Sequence, residues 1–163
     1  MPKLLRWLGL AFLVVVLDQL TKAIIVNQFS LGESLRVTAF LDLVLAHNRG
    51  AAFSFLAGAG GWQRWFFTVI ALAAVGVILY FLRKHADEPR FCFALSLILG
   101  GAVGNLIDRV ALGHVVDFLA FHYAGYAWPA FNAADSAITV GAVLLAWESV
   151  RAKPAAAFPS EHR

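Results

Sequence analysis

Two acids stand in surroundings that give them chemistry to do. Asp117 lies inside the apolar run Val115-Val116-Asp117-Phe118-Leu119, and Asp135 follows in Phe131-Asn132-Ala133-Ala134-Asp135-Ser136, just after Pro129. A carboxylate in an apolar run is desolvated, which favours its protonated form. If the chain brings both acids to similar depth they cannot both ionise comfortably, so they titrate as a pair holding one proton. The ionised member can then activate a water. The protonated member polarises a carbonyl and later supports protonation of a leaving amine, the division of labour of an aspartic protease. Spacing leaves a second reading of Asp135 open. Asn132 with an acid three positions later resembles a capping box, and composition alone favours a helix N-terminus there.

Other polar residues interrupt apolar stretches in the same way. Ionisable groups inside hydrocarbon cost at least ~2.5–3.5 kcal/mol each at the centre, so each needs a partner or a role. Asp18 and Lys22, four positions apart in acid-before-base order, share a helix face, either as an intrahelical ion pair or as support for a site. Asn105, Asp108 and Arg109 occupy i, i+3 and i+4 of another helix, which groups an amide, a carboxylate and a guanidinium. Arg109 reads either as a binding residue or as a snorkelling anchor at the interface. Gly100 and Gly104 form a GxxxG, the mark of close helix packing.

Other chemistries are missing from the sequence. There is no HExxH, and His47, His85, His114, His122 and His162 lack metal-ligand spacing, so no metal is expected. No Gly-x-Ser-x-Gly and no phosphate-binding glycine loop occurs. Cys92 stands alone, without a partner for an internal disulfide.

The elements that must position these residues are membrane helices. Of the 163 residues 61% are hydrophobic and 14% charged, far from the roughly one-quarter charged composition of soluble domains. The runs 65–82 and 91–107 carry no charge and approach the ~20 residues that cross a ~30 Å hydrocarbon core. Two further spans start near Trp7 and Phe131, giving expected spans at 7–26, 63–82, 91–109 and 131–150. Lys3 and Arg6 before the apolar stretch 7–17 also fit a signal peptide, but Asp18-Gln19-Leu20-Thr21-Lys22 stands where small cleavage-site residues belong. Lys3, Arg6, Arg83, Lys84, Arg90, Arg151, Lys153 and Arg163 fall at one side of four alternating helices. The positive-inside rule then makes 1–6, 83–90 and 151–163 cytoplasmic and 28–62 and 110–130 extracytoplasmic. The net charge of +3 is thereby a matter of topology and not of nucleic-acid binding.

Function is expected on the outer side. Residues 35–45 alternate with period two, which predicts one half-buried strand of a small sheet at the membrane surface. Gly58-Ala59-Gly60-Gly61 reads as a turn, Trp62, Trp65 and Trp128 as headgroup-level rings, and the Ala/Pro-rich tail after Lys153 as disordered.

These blocks resemble the bacterial lipoprotein signal peptidases, also called signal peptidase II. The blocks are Asp18-Gln19-Leu20-Thr21-Lys22, Asn48-Arg49-Gly50-Ala51-Ala52-Phe53-Ser54, 100–109 with Asn105 and Asp108-Arg109, Val116-Asp117-Phe118, and 128–136 with Asn132 and Asp135. They follow in order over nearly the whole chain, at the family's length. The resemblance implies an all-α membrane protein of four transmembrane helices, with a small extracytoplasmic β-sheet and an arm over the active site. It implies cleavage of diacylglyceryl-modified prolipoproteins just before the lipidated cysteine, in the bacterial cytoplasmic membrane, without a cofactor. Asp117 and Asp135 match the catalytic pair; Asn48, Gly50, Asn105, Arg109 and Asn132 match positions around the substrate or the inhibitor globomycin; Asp18, Lys22 and Asp108 match supporting positions. Membrane lipids and prolipoproteins are the expected partners, and a monomer the expected form. From the residues alone, a small proton-coupled transporter or channel using Asp18, Lys22, Asp108 and Arg109 as a relay is the alternative. A non-catalytic membrane scaffold is a third, and it gives no reason for the two acids.

Overall fold

The computed structural model describes residues 2–50 and 61–151. The order of elements is α1 (Pro2–Gln28), β1 (Ser34–Arg36), β2 (Leu41–Asn48), α2 (Gln63–Lys84), α3 (Pro89–Ala111), β3 (Val115–Tyr123), β4 (Tyr126–Ala127) and α4 (Ala133–Arg151). All four helices are long and apolar enough to cross a membrane. The glycine turn at 58–61, apart from Gly61, and the tail after Lys153 lie outside the described residues, as does most of the chain between β2 and α2 where an arm would be carried.

Helix α3 is the hub. Over half of its apolar window is buried inside the protein (56%), against 22% or less for the other three. Its small residues explain why. A Cβ on Gly100 would meet Val14 Cβ at 2.5 Å, one on Gly104 would meet Asp18 Oδ2 at 2.5 Å, and one on Gly101 would overlap the Ala134 carbonyl oxygen. The glycines let α1 and α4 approach the α3 backbone directly, as helices do where lipid supplies no hydrophobic drive to associate.

At one end Trp7, Leu82, Cys92 and Leu95 form an apolar cluster. Here Lys3 pairs with Asp87, and Trp7 Nε1 donates to the Ala86 carbonyl at 3.1 Å. The start of α1 is thus tied to the turn between α2 and α3. The four-stranded antiparallel sheet, in the order β1-β2-β3-β4, lies toward the other end, where Leu45, Val116 and Phe118 pack on Ile25 of α1.

The segment 35–45 is a hairpin and not one strand. Arg36 pairs with Asp42, and the backbone N–H groups of Val37 and Thr38 both donate to the Leu41 carbonyl. Thr38 Oγ1 accepts from the Phe40 N–H at 3.3 Å, so the threonine closes the turn with its side chain. Period-two alternation runs on through such a turn unchanged, which is why the pattern hides it. Strand β3 shows no alternation at its start: Val115, Val116, Asp117 and Phe118 are all buried, because β2 covers one edge and helices cover the faces.

Candidate active site

Three connections bring the two acids together. The Val116 N–H donates to Asp108 Oδ2 at 3.1 Å, which pins the start of β3 to the end of α3. Phe118 and Leu119 N–H groups donate to the Phe131 carbonyl at 2.9 and 2.8 Å, and Phe131 N–H donates back to Leu119. The chain entering α4 therefore runs beside β3, and Asn132 falls next to Asp117.

Asn132 is fully buried and serves both acids. Its Nδ2 donates to Asp117 Oδ1 at 2.7 Å, and its Oδ1 accepts the Asp135 backbone N–H at 2.9 Å. That second bond is an N-cap. It uses the backbone of Asp135 and leaves the carboxylate for Asn105, whose Nδ2 donates to Asp135 Oδ1 at 2.8 Å. Cap and site are thus one arrangement. Asp117, 2% exposed, also accepts from Asn48 Nδ2 at 3.0 Å. Burial, and then the neighbouring charge of Asp135, push the Asp117 carboxyl up to about 7, against the opposing hydrogen bonds from Asn48 and Asn132.

Beneath the pair lies a buried ionic network. Lys22 Nζ reaches Asp18 Oδ2 at 2.8 Å, Asp108 Oδ2 at 2.9 Å and Asn105 Oδ1 at 3.0 Å, so all three ammonium protons have acceptors. Asp18 Oδ1 accepts the Ala134 N–H at 2.9 Å. An acid on α1 thereby caps α4 in the first turn, where the helix dipole favours negative charge. The intrahelical ion pair of Asp18 and Lys22 is present, and the same two side chains also reach α3 and α4.

Lys22 also sets the polarity of the amides. An ammonium only donates, so Asn105 must turn Oδ1 toward it and Nδ2 toward Asp135. Asn132 Nδ2 likewise donates to Asn105 Oδ1 at 3.2 Å, which leaves its own oxygen for the helix N-terminus. A cation on α1 in this way aims amide donors at both carboxylates.

Arg109 and Gly50 meet as well: Arg109 Nη2 donates to the Gly50 carbonyl and Nη1 to the Asn105 carbonyl, both at 3.3 Å, with the guanidinium 5.7 Å from the Phe67 ring centre. Asn48 Oδ1 accepts the Gly50 N–H at 2.9 Å. Asn48, Asn105, Arg109 and Asp135 line a cavity of about 610 Å³ whose remaining wall is largely apolar, including Phe67 and Ile70 of α2 and Trp128 to Phe131 before α4. All ten residues singled out from the sequence are in this assembly or the network under it.

Gln19 is an addition. Its Nε2 donates to Asp108 Oδ1 at 2.9 Å and to Asp18 Oδ2 and the Gly104 carbonyl at 3.2 Å. An amide between Asp18 and Lys22 was the available signal. Phe67 and Ile70 gave none, because an apolar residue facing a cavity looks in sequence like one facing lipid.

Fold and site define a multi-pass helical membrane protein with two carboxylates linked by buried amides, one of them, Asp135, in the wall of an apolar cavity. Comparison with known proteins is specific about which. A family model described as signal peptidase (SPase) II matches residues 10–151, and the chain belongs to that family. A lipoprotein signal peptidase of Ralstonia nicotianae is 60% identical over 145 residues, spanning 89% of this chain and 84% of the relative. One of Cupriavidus necator is 60% identical over 147 residues, spanning 90% and 84%. A solved bacterial membrane enzyme superposes with a TM-score of 0.81 at 36% identity, covering 90% of this chain and 88% of the other. The chain is accordingly a peptidase and a multi-pass bacterial membrane protein, and the transporter or channel reading finds no support.

Proposed function

We propose that the chain is an aspartic-type endopeptidase that removes signal peptides from diacylglyceryl-modified prolipoproteins immediately before the lipidated cysteine, with Asp117 and Asp135 as the catalytic pair. The observation that carries this is the amide link between the two carboxylates, Asp117 bonded by Asn132 and Asp135 by Asn105 with the two amides bonded to each other, and with Asp135 in the wall of an apolar cavity. Asp117 holds the shared proton, since burial and Asp135 raise its carboxyl to about 7. Asp135, at a helix N-terminus and bonded by Asn105, is the ionised member and draws the proton from the attacking water. Protonated Asp117 donates to the scissile carbonyl as negative charge grows on its oxygen. The proton taken up by Asp135 then goes to the leaving amine as the C–N bond breaks, and the former carbonyl oxygen gives its proton back to Asp117 as the C=O bond reforms, which returns the pair to one shared proton.

The cavity suits a substrate arriving within the bilayer. Its apolar wall can take acyl chains and small side chains, while Asn48 and Arg109 hold the extended peptide by its backbone. The charge asymmetry supports an orientation with both termini and the 83–90 turn in the cytoplasm and the acids near the outer face of the membrane.

The test is cleavage of one lipoprotein-derived peptide, with and without the diacylglyceryl group, by wild type, Asp117→Asn and Asp135→Asn in detergent. Only wild type should process the lipidated peptide, with the variants at least ~10³-fold slower. Turnover near wild type by a folded variant removes that acid from the pair, and equal cleavage of both peptides removes the lipid requirement.

A further inference from the structure

A second cavity, of about 480 Å³, lies at the opposite end of the helices from the acids. It is formed by the start of α3 and the last turns of α4, with Trp7 of α1 against it. Phe93 and Leu144 give it apolar sides, and Arg90, Arg151, Trp147 and Glu148 stand at its rim. The Arg151 guanidinium sits 5.0 Å from the Trp147 ring centre, an amphipathic pair suited to headgroup depth. Helix α3 opens with Pro89 and without a side-chain cap from Glu88, so its positive end faces the same region.

Charge decides what fits. The acids near the mouth are engaged elsewhere, Asp87 with Lys3 and Glu88 with His85 Nδ1 at 2.8 Å. Glu148 approaches Arg90 only to 3.8 Å, beyond hydrogen-bond length, so the Arg90 guanidinium keeps donors for an oxyanion that accepts bidentately. Two arginines, a helix N-terminus and one acid leave the rim net positive, above an apolar groove. We propose that this cavity is a binding site for an anionic glycerophospholipid, with the phosphodiester between Arg90 and Arg151 and an acyl chain along Phe93 and Leu144. A basic pocket between membrane helices, on the side where basic residues gather, is where such a headgroup gains most.

The test is native mass spectrometry of the detergent-purified protein titrated with palmitoyl-oleoyl phosphatidylglycerol, and with phosphatidylcholine of the same chains. Wild type should prefer the anionic lipid. Arg90→Ala with Arg151→Ala should weaken its binding roughly 30-fold, on the order of fivefold for each basic side chain near an anionic surface. Arg83→Ala with Lys84→Ala, which removes the same charge from that end outside the cavity, should stay within about twofold of wild type by the same reasoning. Glu148→Gln, which keeps the shape and removes the competing acid, should tighten binding. Equal affinity for the two lipids, unchanged binding in the Arg90/Arg151 variant, an equal loss in the Arg83/Lys84 variant, or no gain in Glu148→Gln would each overturn the site. Peptide cleavage in detergent shows that each variant is folded.

Discussion

Replacing Asn48 with leucine should move the alkaline limb of the pH–rate profile upward, and the direction is a stringent test of how the pair works. Asn48 Nδ2 donates to Asp117 Oδ2 at 3.0 Å. The bond favours the ionised carboxylate, so in wild type it works against the burial that holds the group at about 7. Leucine has the same branching and number of side-chain heavy atoms and offers no donor. A hydrogen bond to a charged group is worth ~1.5–3 kcal/mol, and one pH unit is about 1.4 kcal/mol. Asn132 still donates to the other oxygen at 2.7 Å, so the lower figure applies and the expected change is about one pH unit.

The sign follows from the shared proton. On the proposed assignment, as pH rises through about 7 Asp117 loses its proton, both carboxylates are charged and nothing remains to donate to the scissile carbonyl. Activity falls on that limb. In Asn48→Leu the proton is held to higher pH, so the limb lies about one unit further alkaline while the maximum drops through lost substrate contacts. The assay is kcat/KM for a lipidated fluorogenic peptide between pH 5 and 10, which reports the free enzyme. A limb that stays in place, or moves toward acid, refutes Asp117 as the proton holder even if overall activity falls.

Two further substitutions test the support beneath the pair. Lys22→Met leaves Asp18 and Asp108, at 0% and 3% exposure, facing each other without a cation, and should cost about 3–5 kcal/mol in a denaturation series in detergent. Adding Asp18→Asn, which keeps an oxygen for the Ala134 N–H, should recover part of it; a wild-type midpoint for Lys22→Met alone would show the network to be idle. Gly101→Ala puts a methyl against the Ala134 carbonyl oxygen and 2.7 Å from Ile138 Cγ1, so α3 and α4 must separate at about 1–3 kcal/mol with at least tenfold loss of peptide cleavage. Gly76→Ala, where a Cβ meets nothing within 4 Å, is the matched control and should behave as wild type.

Much of the site could be read from the sequence because the bilayer makes polar residues conspicuous. Asp18, Lys22, Asn105 and Asp108 interrupt stretches that would otherwise be apolar, and all four are buried in one network. Spacing gave the partners that share a helix, Asp18 with Lys22, and not those that arrive from another. Nothing local to Asp18 says that its second oxygen caps α4, and nothing local to Lys22 says that Asp108 supplies its other carboxylate. Those contacts depend on how closely α1, α3 and α4 approach, which the glycines allow without specifying partners. The hairpin at 34–48 and the buried start of β3 were obscured for a different reason. A two-residue period reports which face is wet, and it is blind both to a turn that preserves the phase and to a strand covered on both faces.

The amide chain from Lys22 also explains why so charged a network lies under the two carboxylates of the proposed pair. Asn105 and Asn132 could each present oxygen or nitrogen to the pair, and the wrong face would set a lone pair against a carboxylate. A cation bonded to Asn105 Oδ1 removes that choice for Asn105 and, through the Asn132 bond to the same oxygen, for Asn132. A charge that only donates is the simplest device for fixing an amide, and it must be buried to act. Buried, it needs Asp18 and Asp108 to offset it, and each of these is used again, one as the cap of α4 and the other as the anchor of β3. Asp117 and Asp135 are carried by those two elements. Their placement and the polarity of the Asn105 and Asn132 donors therefore rest on one ion, which is why the loss of Lys22 should disturb both the fold and the two acids.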